Sequence, residues 1–536
     1  MESIKLSVTL RAALVAKYSV AALAKINNAL AAWSSADKAR GITTLHIALD
    51  DVAAMAAQGV KAVSGRVTAL KAKRAIDALA KKLAPDYFVI IGGDDVLPYF
   101  HVRNPSYDPQ GDTDRTVPTD NPYACSGAYS AKSLKSYLVP NRVLGRIPDL
   151  PCAAGAGNPD WIVTALKTGT GWSSKPPSFY ATAYAACCDQ WKGAGQATMQ
   201  YLGLPVSDLL ISPPTIDATP TLRTRLARTL HFTKCHGAEI DAHFYGQKGK
   251  SYPEILFSGT LQGRVPQGAL AAAMCCYGAQ IYSPSDPLAA PAGALPIAMA
   301  YLAGGAAGFM GATKIAWVGL QVMMCADWIV ASYLKKALAG ASLGRAMLEA
   351  KQDYMQYLVN QGQRADTADE KTMIEFVLLG DPALHPVASA AVVPARTRRA
   401  AAAQVSLQRL ERRVARVAVA AQVTRVLPHR IAHAAPSAAV ARKLFKSVSA
   451  VLGSADAAMF DPGRASASKL VTAAPVARAT LALGPIGAAR VQGVGDSLEY
   501  RWTGRRQSKK QVLVQLLTVQ TDLDGNVLRS RLLHSA

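Results

Sequence analysis

Apolar positions along this chain follow two rhythms. Over residues 1–84, Ala, Leu and Val recur every three or four positions with Lys and Arg between them, the spacing of amphipathic helices. A short strand at 44–49 interrupts them, and 71–83 is the clearest helix. From residue 87 onward, short unbroken apolar runs appear instead. Those at 87–91, 179–187, 269–274 and 306–310 predict buried strands, and 138–147 reads as a further strand. Between them, 161–168, 194–202, 295–302, 322–339 and 343–359 carry helical spacing. Residues 221–230 predict a helix that feeds a strand ending at Lys234. Such alternation argues an α/β fold, a mostly parallel sheet with helices on both faces. Functional groups are then expected at the carboxyl ends of strands. Residues 101–136, rich in Asp, Pro, Asn, Ser and Tyr, predict a long irregular loop.

The pattern breaks after Leu384. Residues 388–480 are rich in Ala, Val and Arg, and 402–426 and 440–452 fit basic helices. Near the end, 513–519 and 527–533 read as strands flanking Asp522-Leu-Asp-Gly-Asn526, a hairpin turn. This predicts five parts: an N-terminal helical segment (1–66), a first α/β sub-domain (67–150), a larger α/β sub-domain (151–388), a basic helical linker (389–480) and a small β-hairpin module (481–536).

Composition narrows the class. With 536 residues, half of them apolar and 18% charged, the chain can bury sizeable cores, which excludes global disorder, collagen and a disulfide-stapled miniprotein. Residues 391–536 hold 23 Lys+Arg against 7 Asp+Glu, so +16 of the net charge of +23 lies there. A basic region of this kind suits an acidic partner as well as a plain solvated surface. The eight cysteines show no Cys-x-x-Cys spacing and include two adjacent pairs, which suits neither a zinc cage nor ordinary disulfides. Reduced thiols in a cytoplasmic setting are expected. The first twenty residues lack a secretory signal pattern. The uncharged run 287–313 contains Pro291, Pro296 and Gly breaks, so a buried helix and strand are expected there, not a membrane span.

Two strand ends carry candidate chemistry. Leu230-His-Phe-Thr-Lys-Cys-His236-Gly237 is one, and Leu270-Ala-Ala-Ala-Met-Cys275-Cys276-Tyr277-Gly278 is the other. Forty residues separate His236 from Cys276, enough for one parallel crossover, so the two ends can be neighbours. A thiol near its ordinary pKa of ~8.5 is mostly protonated at neutral pH. An imidazole beside it takes the proton and later returns it to a leaving amine. Glycine next to each residue lets a peptide backbone approach, and the Gly237 N–H suits an oxyanion. On pattern alone either Cys275 or Cys276 serves as nucleophile, and a buried cysteine is also an ordinary apolar filler.

Further segments, in order, resemble the gingipain-like cysteine peptidases of the caspase clan over about residues 67–386. They are Lys73-Arg-Ala-Ile-Asp77, Pro85 to Pro98 with its Ile-Ile-Gly-Gly-Asp-Asp core, Thr119-Asp-Asn-Pro-Tyr123 and Val143-Leu-Gly-Arg-Ile-Pro148. The His-Gly and Cys-Tyr-Gly strand ends, Gly304 to Thr313, Gly340 to Lys351 and Leu378-Leu-Gly-Asp-Pro-Ala-Leu384 follow. The resemblance implies a caspase-like fold of two sub-domains with the dyad on the second. It implies a cysteine endopeptidase acting on protein or peptide substrates through a thioester, with His236 as general base and acid, Cys276 as nucleophile and Gly237 in the oxyanion hole. Cys276-Tyr277-Gly278 resembles the family's common Ala-Cys-Tyr-Gly form, which favours Cys276 over Cys275. The family's usual Gly-His-Gly is broken here by Cys235, which motivates an alternative, an inactive scaffold of the same fold. An anion- or nucleic-acid-binding protein working through its basic C-terminal region is another. The residue that reads the substrate's P1 side chain often follows the strand before the histidine strand. That place holds Asp189, which would favour Arg or Lys, with Glu239 and Asp241 as rival acids. No organic cofactor is required. Structural calcium is compatible with the resemblance, with no ligand set legible.

Two look-alikes are set aside. Asp94-Asp95 resembles the metal-binding hairpin of palm-type polymerases, but Pro98 and a polar loop follow where that hairpin needs a strand. Asp522-Leu-Asp-Gly-Asn lacks the distal Glu of a calcium loop.

Overall fold

Strands made of unbroken Val, Ile, Leu and Ala need cover on both faces, and the computed structural model supplies it. It describes residues 3–109, 111–361, 363–388, 490–494, 497–507, 512–522 and 527–535. The two basic helices expected at 402–426 and 440–452 lie outside them.

In chain order the strands are β1 (Ser3–Thr9), β2 (Ile42–Ala48), β3 (Tyr87–Ile91), β4 (Phe100–Arg103), β5 (Thr116–Thr119), β6 (Leu144–Ile147), β7 (Ala183–Cys188), β8 (Leu209–Ser212), β9 (Leu230–Lys234) and β10 (His236–Gly237). They continue as β11 (His243–Tyr245), β12 (Glu254–Phe257), β13 (Leu270–Ala273), β14 (Gly308–Ala312), β15 (Trp317–Val318) and β16 (Phe376–Gly380). The last four are β17 (Arg490–Val494), β18 (Ser497–Gln507), β19 (Val512–Asp522) and β20 (Val527–Ser535).

Ten strands form one sheet in the order β2-β1-β3-β6-β16-β14-β13-β9-β7-β8. Every neighbouring pair is parallel except β14 and β16. The sheet therefore has two halves of five parallel strands that run in opposite directions. This is the α/β, mostly parallel architecture the sequence predicts, here as one continuous sheet whose first half also takes in β1 and β2 from residues 1–66 and β16 from residues 151–388. At the join, β14 pairs antiparallel with β16, Gly308 opposite Gly380, and within the first half Leu379 of β16 stands opposite Arg146 of β6. Gly145 permits the approach, since a Cβ there would sit 2.6 Å from the Gly380 carbonyl oxygen.

Alternation across β3 shows why both faces are covered. Phe88 and Ile90 join the larger core, while Val89 and Ile91 pack with Ile26, Trp33, Ile162 and Leu166 from the helices Val20–Ala39 and Asp160–Thr170. The run 287–313 divides into the helix Ile297–Ala303 and β14. Among the described residues no helix is long and apolar enough to cross a membrane.

Three features differ from the sequence reading. Residues 3–9, inside the segment read as helical, form β1, in the interior of the sheet between β2 and β3. Their seven residues, Ser-Ile-Lys-Leu-Ser-Val-Thr, alternate like a half-exposed strand, but Lys5 is buried by ion pairs with Asp37 and Asp381 at 2.7 Å each. The loop 101–136 contains the hairpin β4–β5. The strand expected at 138–147 shortens to β6.

Candidate active site

β9 and β13 are adjacent and parallel, with Leu270 opposite Leu230 and Ala273 opposite Thr233. Both are fully buried, β13 as Leu-Ala-Ala-Ala and β9 with His231, Thr233 and Lys234 among its residues, and both end at the same edge of the second half-sheet. The residues that follow them are therefore brought together. Cys235 continues β9, and His236-Gly237 leaves the main sheet to pair antiparallel with β11, His236 opposite Tyr245 and Gly237 opposite Phe244. Met274-Cys275-Cys276 continues β13, and the Met274 N–H donates to the Thr233 carbonyl at 2.8 Å.

Gly237 touches the cysteine loop directly. A Cβ on it would lie 1.9 Å from the Cys276 carbonyl oxygen. The backbone turns sharply after the cysteine, with Tyr277 at φ 56°, a left-handed conformation that aromatic residues rarely adopt. The Tyr277 N–H donates to the Lys314 carbonyl at 3.0 Å and its hydroxyl to Asp114 at 3.2 Å, which hold the turn in place.

The two thiols face different neighbours. Cys275 Sγ lies against Thr233 of β9, 3.5 Å from Oγ1 and 3.7 Å from the carbonyl oxygen. Cys276 Sγ lies against Ala316, accepting from its N–H at 3.3 Å. Burial pushes the Cys275 thiol up to about 12, despite the Thr233 hydrogen bond. Burial also raises the Cys276 thiol well above its ordinary value, opposed by the Ala316 N–H and Lys371.

The imidazole of His236 is held by side chains that no motif announces. Its Nε2 is 2.7 Å from Gln247 Oε1, while Gln247 Nε2 donates to the Tyr252 hydroxyl at 2.8 Å and the Gly249 carbonyl at 3.3 Å. That orientation of the amide makes Oε1 the acceptor, so the ring carries its hydrogen on Nε2 and its lone pair on Nδ1. Among the described residues Nδ1 is buried without a hydrogen-bond partner. Trp191 packs on the ring at 4.4 Å between centroids, and Tyr252 meets it edge-on at 5.7 Å. Burial lowers the imidazole to about 4, although Gln247 and the Ser535 backbone favour its charged form. At neutral pH both thiol and imidazole are therefore uncharged in this conformation.

Asp189 opens the turn after β7, two residues before Trp191. Its carboxylate is about one-third exposed and lies 3.6 Å from Lys248 Nζ, itself mostly exposed. The rival acids are otherwise engaged. Asp241 accepts from the His243 ring at 2.8 Å and the Tyr245 hydroxyl at 2.7 Å, and Glu239 pairs with Lys314 at 2.6 Å. Asp94 and Asp95 lie in the other half-sheet. Asp94 accepts from the Tyr99 N–H at 2.6 Å and pairs with His101 at 3.0 Å, and Asp95 pairs with Lys17 at 2.7 Å.

A second ion pair orders the wall beside Cys276. Lys234, at the end of β9, meets Asp327 at 2.5 Å with both side chains fully buried. The other oxygen of Asp327 accepts the Gly319 and Met324 N–H groups at 2.9 and 3.1 Å, fixing the loop that follows β15.

Residues 260–387 match the model of peptidase family C25, the gingipain family of the caspase-like clan. The matched stretch contains Cys275 and Cys276 and begins after His236. No curated protein matches the chain. A solved structure titled "Structure of Protease" shares the fold with a TM-score of 0.50 at 13% identity, over 72% of this chain and 79% of that one. The resemblance to gingipain-like peptidases thus rests on a family match as well as on the fold. The match supports a cysteine-type peptidase, a hydrolase of peptide bonds in protein substrates.

Proposed function

We propose that the chain is a cysteine endopeptidase working through a Cys276–His236 dyad. The observation that carries this is the meeting of His236-Gly237 and Cys276 at the carboxyl ends of adjacent parallel strands. Sγ of Cys276 attacks the scissile carbonyl carbon as its proton passes to Nδ1 of His236. The N–H groups of Gly237 and Cys276 stabilise the oxyanion. The imidazolium then protonates the leaving amine, giving a thioester. Water attacks the thioester, His236 takes its proton, and the acid product leaves with the thiol restored. Cys276 is preferred over Cys275 because the Cys275 thiol is turned into the sheet against Thr233.

Asp189 is proposed to favour Arg or Lys at P1. Its support is position: it follows β7, stands close in sequence to the Trp191 that packs on His236, and keeps only an exposed lysine as ion partner among the described residues. A cationic P1 side chain would replace Lys248. Eight unpaired cysteines support a reducing, cytoplasmic setting. An acidic partner for the basic region 391–536 is proposed from its charge.

The inactive-scaffold reading has one observation in its favour: both dyad groups are buried here. Cleavage of a peptide library by the full chain, compared with Cys276→Ala, Cys275→Ala and His236→Ala, separates the two. Activity lost in Cys276→Ala and His236→Ala but kept in Cys275→Ala supports the dyad. Activity unchanged by His236→Ala removes it.

A further inference from the structure

A peptidase must admit an extended peptide to its thiol, yet Cys276 is 3% exposed and His236 is 2% exposed. Part of the cover over His236 comes from the far end of the chain. β15 begins at Trp317, the residue after the Ala316 that touches Cys276 Sγ. β15 does not belong to the ten-stranded sheet. It pairs antiparallel with β20, Trp317 opposite Ser535 and Val318 opposite His534, and so becomes the edge of a five-stranded sheet, β15-β20-β19-β18-β17. The tip of β20 thereby reaches the dyad. The Ser535 backbone stands against His236, and the His534 ring lies 6.3 Å from Trp191, the residue packed on His236.

The cover is anchored in two ways. Val514, Leu516 and Leu533 are fully buried and join the core of the catalytic part. Arg531, itself buried, pairs with Asp366 and with Asp369 at 2.8 Å and donates to Cys325 Sγ at 3.2 Å, while Arg529 pairs with Asp369 at 2.9 Å. Asp366 and Asp369 form the capping box of the helix Thr367–Glu375, which leads into β16. Two buried carboxylates on the catalytic part thus meet two arginines of β20.

We propose that β20 is an intramolecular plug. It occupies, by strand addition, the edge of β15 on which an extended peptide substrate docks, and substrate enters only after its tip is displaced. This rests on the dyad reading. A peptide running along β15 in the place of β20 would lie beside Cys276 and His236, and the main-chain pairing that would hold it is the pairing β20 now uses.

The test uses the full chain in three forms: wild type, His534→Lys and Arg531→Leu. His534→Lys places a cation beside Lys234 and His236 in a buried site, which expels the tip without altering the catalytic part. Arg531→Leu removes the ion-pair anchor. Iodoacetamide alkylation at Cys276 is followed by peptide mass mapping, with Cys187, fully buried in β7, as the internal check on unfolding. At least tenfold faster alkylation of Cys276 in both variants, with Cys187 still protected, is expected. Equal Cys276 rates in all three forms, with Cys187 protected, overturn the plug. Wild type alone also decides: a Cys276 rate near that of free cysteine overturns it even where both variants unfold. Peptide hydrolysis measured on the same samples separates the two claims. Faster alkylation without hydrolysis upholds the plug and removes the dyad, whereas hydrolysis that is equal in all three forms upholds the dyad and removes the plug.

Discussion

Gly237→Ala tests the geometry of the site through one methyl group. The added Cβ would stand 1.9 Å from the Cys276 carbonyl oxygen and 3.0 Å from its carbonyl carbon, where ordinary contact begins at 3.4 Å. One backbone must therefore retreat by about 1.5 Å from the nearer atom, and no side-chain rotation relieves a clash between two main chains. Both segments are tethered, β10 by its pairing to β11, and the cysteine turn by Ala316 at Cys276 and Lys314 at Tyr277. Overpacking of this kind costs about 1–3 kcal/mol, and the upper end applies because little can yield. A displacement of about 1 Å at a catalytic group lowers rate by roughly 100-fold. Urea unfolding of the variant should show a lower midpoint at unchanged slope, and kcat/KM on a peptide cleaved by the parent should fall by about 100-fold. A variant with parental midpoint and parental kcat/KM would show that Gly237 and Cys276 are not in contact, and the site as described would fall with it.

Other consequences follow from the same contacts. Gln247→Leu removes the acceptor for His236 Nε2 and frees the ring to take the other tautomer; kcat should fall at least tenfold with little change in KM, and Gln247→Glu should recover most of it. Asp189→Asn should lower kcat/KM for Arg or Lys at P1 by about 10- to 100-fold, the worth of a charge-assisted hydrogen bond, and leave uncharged P1 residues unaffected; equal losses for both would remove Asp189 from the pocket. His231 is fully buried between the Tyr301 hydroxyl at 3.0 Å and the Arg228 carbonyl at 2.7 Å, and burial lowers it from 6.5 to about 4. The folded state keeps the ring neutral, so the unfolded chain binds more protons below about pH 6.5 and stability falls as the pH drops toward 4, by at most roughly 3 kcal/mol for this group. His231→Phe should reduce that acid-side loss in denaturant titrations at pH 7 and pH 4.5, and an unchanged pH dependence would contradict the assignment.

Much of the second half-sheet was legible because its strands are buried on both faces and read as unbroken apolar runs. Leu270 to Met274 announces itself this way, while Leu230 to Lys234, with His231, Thr233 and Lys234 in it, was placed as a strand by the helix before it and the strand-end residues after it. β1 was not legible, since Lys5, Ser7 and Thr9 break its apolar run. Those residues are satisfied by partners distant in sequence: Asp37 and Asp381 for Lys5, His46 for Ser7, the Ile91 carbonyl for Thr9. The hairpin β4–β5 was hidden for a similar reason, because Pro118 and Thr119 look like loop and Thr119 is fixed through the Ile374 carbonyl. In the site, cysteine, histidine and glycine carried a chemical signal. Gln247 and Trp191 did not, because a glutamine in a polar turn and a tryptophan after a strand look like surface and core. The hairpin near the end was visible in its turn residues, but its pairing with β15 joins positions more than 200 residues apart, and nothing local encodes that.

The most direct measurement is to label the His534→Lys protein with a peptidyl acyloxymethyl ketone bearing Arg at P1 and identify the modified sulfur by mass spectrometry. The account predicts one adduct, on Cys276, formed at least tenfold more slowly when His236→Ala is added. An adduct on Cys275, or one on Cys276 at a rate indifferent to His236, would contradict the dyad.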